Sequence, residues 1–463
     1  MSTQIEPNPE GKLIHSPNSL DRTIAENLSV KLKSMSKKPL TVVDLFAGCG
    51  GLSLGLEQAG FQPVFVNELN KDAMESYLLN REHEYPYLRE DLFHCNDVKE
   101  LVLDKKKTKK IIEEFKVRFG LDIKSGDLDL VVGGPPCQGF SGIGHRRSYK
   151  VDKEQLPSNH LFEDMAYVVS MLKPKIFLFE NVKGLLSAKW TPAGVKGEIW
   201  EDVQNTFKEL KGYVVSSALV KAKDYGVAQN RPRVLLVGIR KDIFESAKSI
   251  IKGSVANGFL PEPTGGSHNL DELLGDLVDP TYENGGVTKK YVKSATTEIQ
   301  KYYRQDRHGN PLPKGATLTE QDYSKHAPNV LTKFQYMLDN NGVIPDSMKT
   351  KKFAQRVLPA RWNEDGPSIT ATSLPDDYVH FAQPRILTVR EWARLQGFPD
   401  YYQFAGSRTT GGIRRAGNPQ EGNFARELPK YTQIGNAVPV KLAACVGKHF
   451  AEIINIANNS KKA

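Results

Sequence analysis

The chain has 463 residues, 39% of them hydrophobic and 25% charged, and 63 lysines and arginines against 54 acids leave a net charge of +9. These proportions describe a folded chain of two or three domains and exclude collagen-like, disulfide-stapled and largely disordered proteins. No apolar run reaches the roughly 18–20 residues of a membrane span, and the start, MSTQIEPNPEGKLIHS, lacks a secretory signal's apolar stretch. The basic surplus favours a polyanionic partner, above all nucleic acid, and the expected compartment is the cytoplasm.

Residues 1–38 are polar and carry several prolines, and they read as an N-terminal arm. The run PLTVVDLF (39–46) is β-branched and apolar and ends in a glycine cluster, which predicts a buried strand entering a turn. Helical spacing follows over 51–60, then a strand at 62–67 and a helix at 70–80. The charged helix at 104–118 reads as a solvated surface insertion. Strands at 127–132, 175–180, 213–220 and 233–240, with helices near 159–173 and 198–211, continue the alternation and predict a parallel α/β sheet. After about residue 245 the alternation stops. Residues 250–383 are rich in Gly, Pro, Asn and Thr, with basic and aromatic pieces such as KKYVKS, and predict a smaller, irregular, β-rich domain. A helix at 388–397, an arginine-bearing loop at 406–430 and an apolar helix from about 438 to 456 close the chain.

Four stretches carry chemistry. In DLFAGCGG (44–51) the glycines let backbone approach a ligand at a helix N-terminus, and Glu68 ends the next strand, where α/β nucleotide sites hold ribose hydroxyls. This suits an adenosine-type ligand, whereas Ser53 in place of a third glycine disfavours a nicotinamide cofactor. In VVGGPPCQGFSGIG (131–144) two prolines stiffen the backbone before Cys137 and glycines follow it, the setting of a nucleophile that a mobile segment closes over. The other cysteines, Cys49, Cys95 and Cys445, form no CxxC pair and read as small buried apolar residues. In FENV (179–182), Glu180 tips an apolar strand, and burial there would raise its pKa. In QNRPR (229–233), Arg231 and Arg233 sit at i and i+2, which places them on one side of an extended chain, fit to clamp phosphate or carbonyl oxygens.

Together and in this order the stretches resemble the cytosine-carbon-5 DNA methyltransferase family. DLFAGCGG is similar to its first motif, VNELN to its second and GGPPCQGFS to its nucleophile motif. ENVKG and QNRPR resemble its carboxylate and arginine motifs, REWARLQGFP (390–399) its penultimate motif and QIGNAV (433–438) its last. The resemblance implies a Rossmann-like, S-adenosylmethionine-dependent α/β sheet with a target-recognition domain. Its divisions are a 1–38 arm, a 39–249 catalytic domain, a 250–430 recognition domain and hinge with 250–383 reading DNA, and 431–463 returning to the catalytic domain.

It further implies methyl transfer to carbon 5 of a cytosine flipped out of a specific double-stranded DNA sequence, through a covalent adduct on Cys137. The enzyme would be a cytoplasmic, monomeric restriction-modification methyltransferase that uses no metal. By motif match, Glu180 holds ring nitrogen 3 and the exocyclic amine, and Arg231 and Arg233 lie near the base, with Arg233 on its carbonyl. Phe46, Ala47, Gly48, Gly50 and Gly51 line the S-adenosylmethionine site. Glu68 holds the ribose, Asp97 faces the adenine amine with Asp91 as its competitor, and Asn436 arrives beside the first turn. Ile143 stands where the family fills the vacated base's space, and Arg146, Arg147 and Lys150 suit phosphates, as do Arg408, Arg414, Arg415 and Arg426. The nearest rival is the tRNA-cytosine branch of the fold, which usually has threonine where Ser141 stands and a shorter recognition region.

Overall fold

Strands Leu40–Leu45 (β1), Phe61–Asn67 (β2), His94–Cys95 (β3), Leu130–Gly133 (β4), Ile176–Val182 (β5), Tyr213–Lys221 (β6) and Pro232–Arg240 (β7) form one seven-stranded sheet in the order β3-β2-β1-β4-β5-β7-β6. The computed structural model describes residues 38–136, 159–266, 269–349, 356–357, 378–409 and 427–460. Contacts divide the chain into Met1–Pro39 and Leu40–Ala463, and the architecture below is that of the second unit.

The strands alternate their side chains between two cores, as strands buried on both faces must. Val43, Val131, Phe177, Phe179 and Leu236 enter one core with helices Lys105–Phe119 (α4), Leu161–Leu172 (α5) and Glu198–Lys208 (α6). Val42, Leu130, Val132, Ile176, Leu178 and Val237 enter the other with Gly51–Gln58 (α1), Lys241–Ser246 (α7), Lys248–Ser254 (α8) and Val440–Ser460 (α14). Helix α14 thus brings the end of the chain back onto α1. The approach is close: a Cβ on Gly447 would lie 2.9 Å from the Ala59 Cβ, and one on Gly55 would overlap the Val440 carbonyl.

The α/β class holds, but the sheet is mixed where the alternation of strands and helices predicts a parallel one. β1 pairs in parallel with β2 and β4, and β4 with β5, but β7 runs antiparallel to both β5 and β6. The short connection at 222–231 leaves no room for the crossover helix that a parallel pair needs, so β6 returns directly as β7. The charged insertion is half right as a solvated element. Asp104 caps α4 by accepting from the amides of Lys106 and Lys107, and its lysine-rich face is exposed, but Thr108, Ile111 and Phe115 anchor it to the core.

The expected β-rich region is, among the described residues, mainly helical and irregular. It carries Leu270–Leu274 (α9), Glu298–Tyr303 (α10) and Pro328–Asp339 (α11), with isolated bridges and the two-residue pair Arg356–Val357 (β8) and Tyr378–Val379 (β9). Local caps decide this: Asn269 with Glu272, and Thr297 with Gln300, form capping boxes that start α9 and α10.

A buried charge network ties this region to helix Val389–Gln396 (α12), which Thr388 and Glu391 cap reciprocally. Arg394, fully buried, donates to Asp276 at 2.6 Å and to Asp400 at 2.6 and 2.9 Å. Tyr291 donates its hydroxyl to Asp400 at 2.6 Å, and Arg304, 3.4 Å from Asp276, stacks on the Tyr291 ring. Removing Arg394 strands two carboxylates that water cannot reach. Arg394→Ala is therefore expected to cost about 3–5 kcal/mol of unfolding free energy in denaturant titrations. Arg89→Ala, which breaks exposed pairs to Glu75 and Glu82, should cost at most about 1 kcal/mol. Equal losses would contradict the network's role.

Candidate active site

The first candidate turn leaves β1 at Asp44 and enters α1. Phe46 is half-buried and has φ 56°, a left-handed conformation that costs a non-glycine residue on the order of 1 kcal/mol. Three successive amides hold it there: Phe46 donates to the Asn67 side chain at 3.3 Å, Ala47 to the Asn67 carbonyl at 2.9 Å and Gly48 to the Glu68 carboxylate at 2.8 Å. These amides serve the end of β2 rather than reaching outward to a ligand, as the glycine pattern had suggested.

The glycines divide by task. A Cβ at Gly48, φ 57°, would meet only open space, so this glycine serves the turn. At Gly50, φ 85°, a Cβ would lie 2.7 Å from Arg81 Nη1 and 2.8 Å from the Tyr402 hydroxyl, and one at Gly51 would meet the Val438 carbonyl at 2.5 Å. Gly50 and Gly51 are small because other protein segments press against them from behind.

Glu68 is half-buried, its oxygens accepting from Gly48 N and Asn70 N at 2.8 Å each. Burial raises its pKa against those two bonds. Each oxygen keeps a lone pair for a further donor. Leu69 beside it is 70% exposed, an apolar side chain in water that the sequence reading passed over. Asp97 is exposed and accepts from the Lys99 amide at 2.9 Å. The Asn96 side chain donates to the Glu68 carbonyl at 3.3 Å, which keeps the 96–97 turn near this end of the sheet. Helix Lys430–Asn436 (α13) also reaches the turn: Cys49 Sγ lies 3.4 Å from the Gln433 carbonyl, and Asn436 is exposed at the end of α13.

The second cluster lies at the ends of β5 and β7. In their antiparallel register Val182 faces Arg233 and Glu180 faces Leu235, so Glu180 and Arg233 share a sheet face on a diagonal. They meet as a nearly buried ion pair, Arg233 Nε to Glu180 Oε1 at 2.6 Å. Burial lifts the Glu180 pKa above the usual carboxyl range, with Arg233 and then Arg231 opposing it.

Arg231 is buried near enough to Glu180 and Arg233 to act on both electrostatically, and it has a second attachment. It precedes the first residue of β7, so strand alternation does not bind it, and its guanidinium donates to the Gly435 carbonyl in α13. Asn181, which the sequence reading did not single out, donates to the Pro135 carbonyl at 3.0 Å and so fastens the Gly134–Pro135–Pro136 turn to β5. Cys137 comes next in the chain; it lies outside the described residues, as do Ile143, Arg146, Arg147, Lys150, Arg414, Arg415 and Arg426. Among the described cysteines, Cys49 and Cys95 are buried with thiols pushed up to about 12, and Cys445 is half-buried. None is a ready thiolate. Among the described residues no group of three His, Cys, Asp or Glu side chains could hold a metal ion.

Two predictions follow from this geometry. A Cβ at Gly134 would stand 2.8 Å from the Glu180 carboxylate, so Gly134→Ala should displace the pair and lower turnover by at least about tenfold while thermal stability stays near wild type. Wild-type turnover would contradict it. Asp44 is fully buried and hydrogen-bonded to Ser53 at 2.5 Å, and burial raises its pKa from 3.8 to about 7. The folded protein then holds a proton the unfolded chain has lost, so this group's stability contribution falls as pH rises from 3.8 to about 7 and is level above that. Asp44→Asn should remove that slope in denaturant titrations across the window; an unchanged slope would contradict it.

Comparison with known proteins adds the following. Residues 40–452 match the model of the C-5 cytosine-specific DNA methylase family. The Type II methyltransferase M.DdeI of Desulfomicrobium norvegicum is 28% identical over 91% of this chain and 91% of its own. The Type II methyltransferase M.XorII of Xanthomonas oryzae pv. oryzae is 30% identical over 88% of this chain and 83% of its own. A prophage-encoded E. coli protein assigned to the DNA modification methyltransferases, solved by crystallography, superposes with a TM-score of 0.59 at 22% identity. That alignment covers 90% of this chain and 99% of that one, and it speaks to the fold.

Proposed function

The chain belongs to the C-5 cytosine-specific DNA methylase family and is a DNA cytosine-5 methyltransferase, and from that premise we propose that it moves a methyl group from S-adenosylmethionine to a cytosine flipped out of a specific duplex sequence. Its role would be the Type II modification enzyme that shields DNA from a cognate endonuclease. The observation that carries the reading is the desolvated Glu180–Arg233 pair, set beside the Gly134–Pro136 turn that leads directly to Cys137.

The first turn fits the methyl donor. Glu68 has lone pairs for two ribose hydroxyls, Phe46 and the exposed Leu69 offer apolar surface for a purine, and the space beside Gly48 is open. Ala47, Asp97 and Asn436 complete the proposed site, Asp97 toward the adenine amine. Gly50 and Gly51 serve it by keeping the turn's rear face small. When bound, S-adenosylmethionine supplies an electrophilic methyl carried on a sulfonium.

The chain's own residues do the rest. The Cys137 thiolate adds to carbon 6 of the cytosine, which breaks the ring's aromaticity and makes carbon 5 a nucleophile. Glu180, kept able to hold a proton by burial, bonds ring nitrogen 3 and the amine as charge grows there. Arg233 orients Glu180 and reaches the base carbonyl, while Arg231 positions α13 through Gly435. Once carbon 5 carried the methyl group, with the donor's sulfonium left as a thioether, loss of the carbon 5 proton to a base and elimination of Cys137 as a thiolate would restore the aromatic ring.

Extruding the base costs a few kcal/mol, which contacts across the duplex must offset. The net charge of +9 favours phosphate contacts, and residues 250–383 are the proposed reading segment, separate in role from the 39–249 catalytic part. Arg408 and Lys430, near the two ends of the 406–430 stretch, bond this segment at the Asp322 carbonyl, 3.0 Å, and at Glu320, 2.8 Å. No helix among the described residues is long and apolar enough to cross a membrane, and action as a cytoplasmic monomer is part of the proposal.

A labelled-methyl assay on duplex DNA, with tRNA as the rival acceptor, tests this reading. The wild type should label DNA, and Cys137→Ser should lose at least about a thousandfold in rate. Equal labelling by the two proteins, or labelling of tRNA alone, would overturn it.

A further inference from the structure

The turn assigned to the methyl donor is shaped from behind by residues that lie outside every motif quoted above. Its two rear carbonyls, Cys49 and Gly50, point into the protein. The Tyr402 hydroxyl donates to the Cys49 carbonyl at 2.6 Å, and Arg81 Nη2 donates to the Gly50 carbonyl at 3.2 Å. Arg81 Nη1 donates to the Tyr402 oxygen at 3.0 Å, so the two donors are one unit. The guanidinium is 2% exposed. It is held by Glu57 at 2.6 Å, by the Tyr77 carbonyl at 3.0 Å and over the Tyr77 ring at 3.8 Å, leaving it little freedom to turn.

Arg81 follows helix Lys71–Leu79 (α2), and Tyr402 follows α12 from the far part of the chain, so the clamp closes over a long sequence separation. Gly50 fits against both donor atoms with no space for a Cβ, which couples their positions to the left-handed step at φ 85°. Rotating either rear peptide would carry Phe46, Ala47 and Gly48 with it and shift them relative to Glu68.

We infer that Arg81 and Tyr402 are positioning residues for methyl-donor binding: they fix the Cys49 and Gly50 peptide planes and thereby set donor affinity. The inference rests on the proposed assignment of this turn to S-adenosylmethionine. It also makes the 398–405 segment, through Tyr402, a part of the cofactor site that no ligand-facing residue would reveal.

Tyr402→Phe removes one oxygen and keeps the packing, so it is the decisive variant; Arg81→Lys keeps the charge but cannot bond both the Gly50 carbonyl and the Tyr402 oxygen. Binding of S-adenosylmethionine to the full chain is measured by calorimetry, beside melting temperature and the split between donor KM and kcat. Tyr402→Phe should weaken donor binding about 5- to 10-fold, with the loss in donor KM and no change in duplex DNA affinity. Arg81→Lys should weaken it further in the same direction. A lower melting temperature with wild-type donor affinity in Tyr402→Phe would make the clamp merely structural and overturn the inference. Glu68→Ala separates the two levels. If it loses donor binding while Tyr402→Phe does not, the inference fails and the site assignment stands; if it too binds as wild type, the assignment itself falls.

Discussion

A carboxylate and a guanidinium 2.6 Å apart, nearly sealed from water where two inner strands of a seven-stranded sheet end and begin, set the terms for the rest of this structure. Burying such a pair is expensive unless its geometry is fixed and its neighbours are polar in the right places. The fold supplies that geometry through an antiparallel strand inserted between β5 and the sheet edge. Only with β7 running backwards do residues 180 and 233 fall on one face within reach of each other. The bond from Asn181 to the Pro135 carbonyl then adds the third member, holding the Gly134–Pro136 turn, which precedes Cys137 in the chain, against the same strand.

A second dependence runs through the end of the chain. Helices α13 and α14 bring residues 430–460 back onto α1, and Arg231 reaches from the start of β7 to the Gly435 carbonyl. The Arg394–Asp276–Asp400 cluster joins the 270–303 region to α12, whose Gln396 bonds the Ile434 carbonyl of α13. The candidate donor turn and the Glu180–Arg233 pair are therefore held by segments hundreds of residues apart. Their alignment is a property of the folded unit rather than of either motif.

The sequence made six of the seven strands legible because most are short, β-branched and buried, and their predicted and observed limits differ by a few residues at most; the two-residue β3 is too short to leave a pattern, and β6, only half-buried, was read from its β-branched run. It did not reveal the direction of β7, because periodicity reports burial and says nothing of pairing. Glu180 and Arg233 were legible as a charged residue at a strand tip and one at a strand start. Arg231 looked identical to Arg233 in sequence, yet from one position before the strand it also bonds the Gly435 carbonyl of α13. Asn67, Arg81, Asn181 and Tyr402 were invisible for a related reason: each acts by a hydrogen bond to a backbone atom distant in the chain, and such bonds leave no spacing to read. In 250–383, Gly and Pro content suggested strands and turns, whereas local capping boxes give short helices among the described residues.

The central claim is that this buried pair holds a cytosine ring for attack by the thiol at position 137. The most direct measurement is covalent trapping on duplex DNA with 5-fluorocytosine at the target site, supplied with S-adenosylmethionine. Fluorine cannot leave as the proton does, so the adduct persists and can be mapped by peptide mass spectrometry. The account predicts a DNA adduct on Cys137, formed at least about tenfold more slowly in Glu180→Gln. An adduct on another residue, or equal trapping rates with and without the carboxylate, would contradict it.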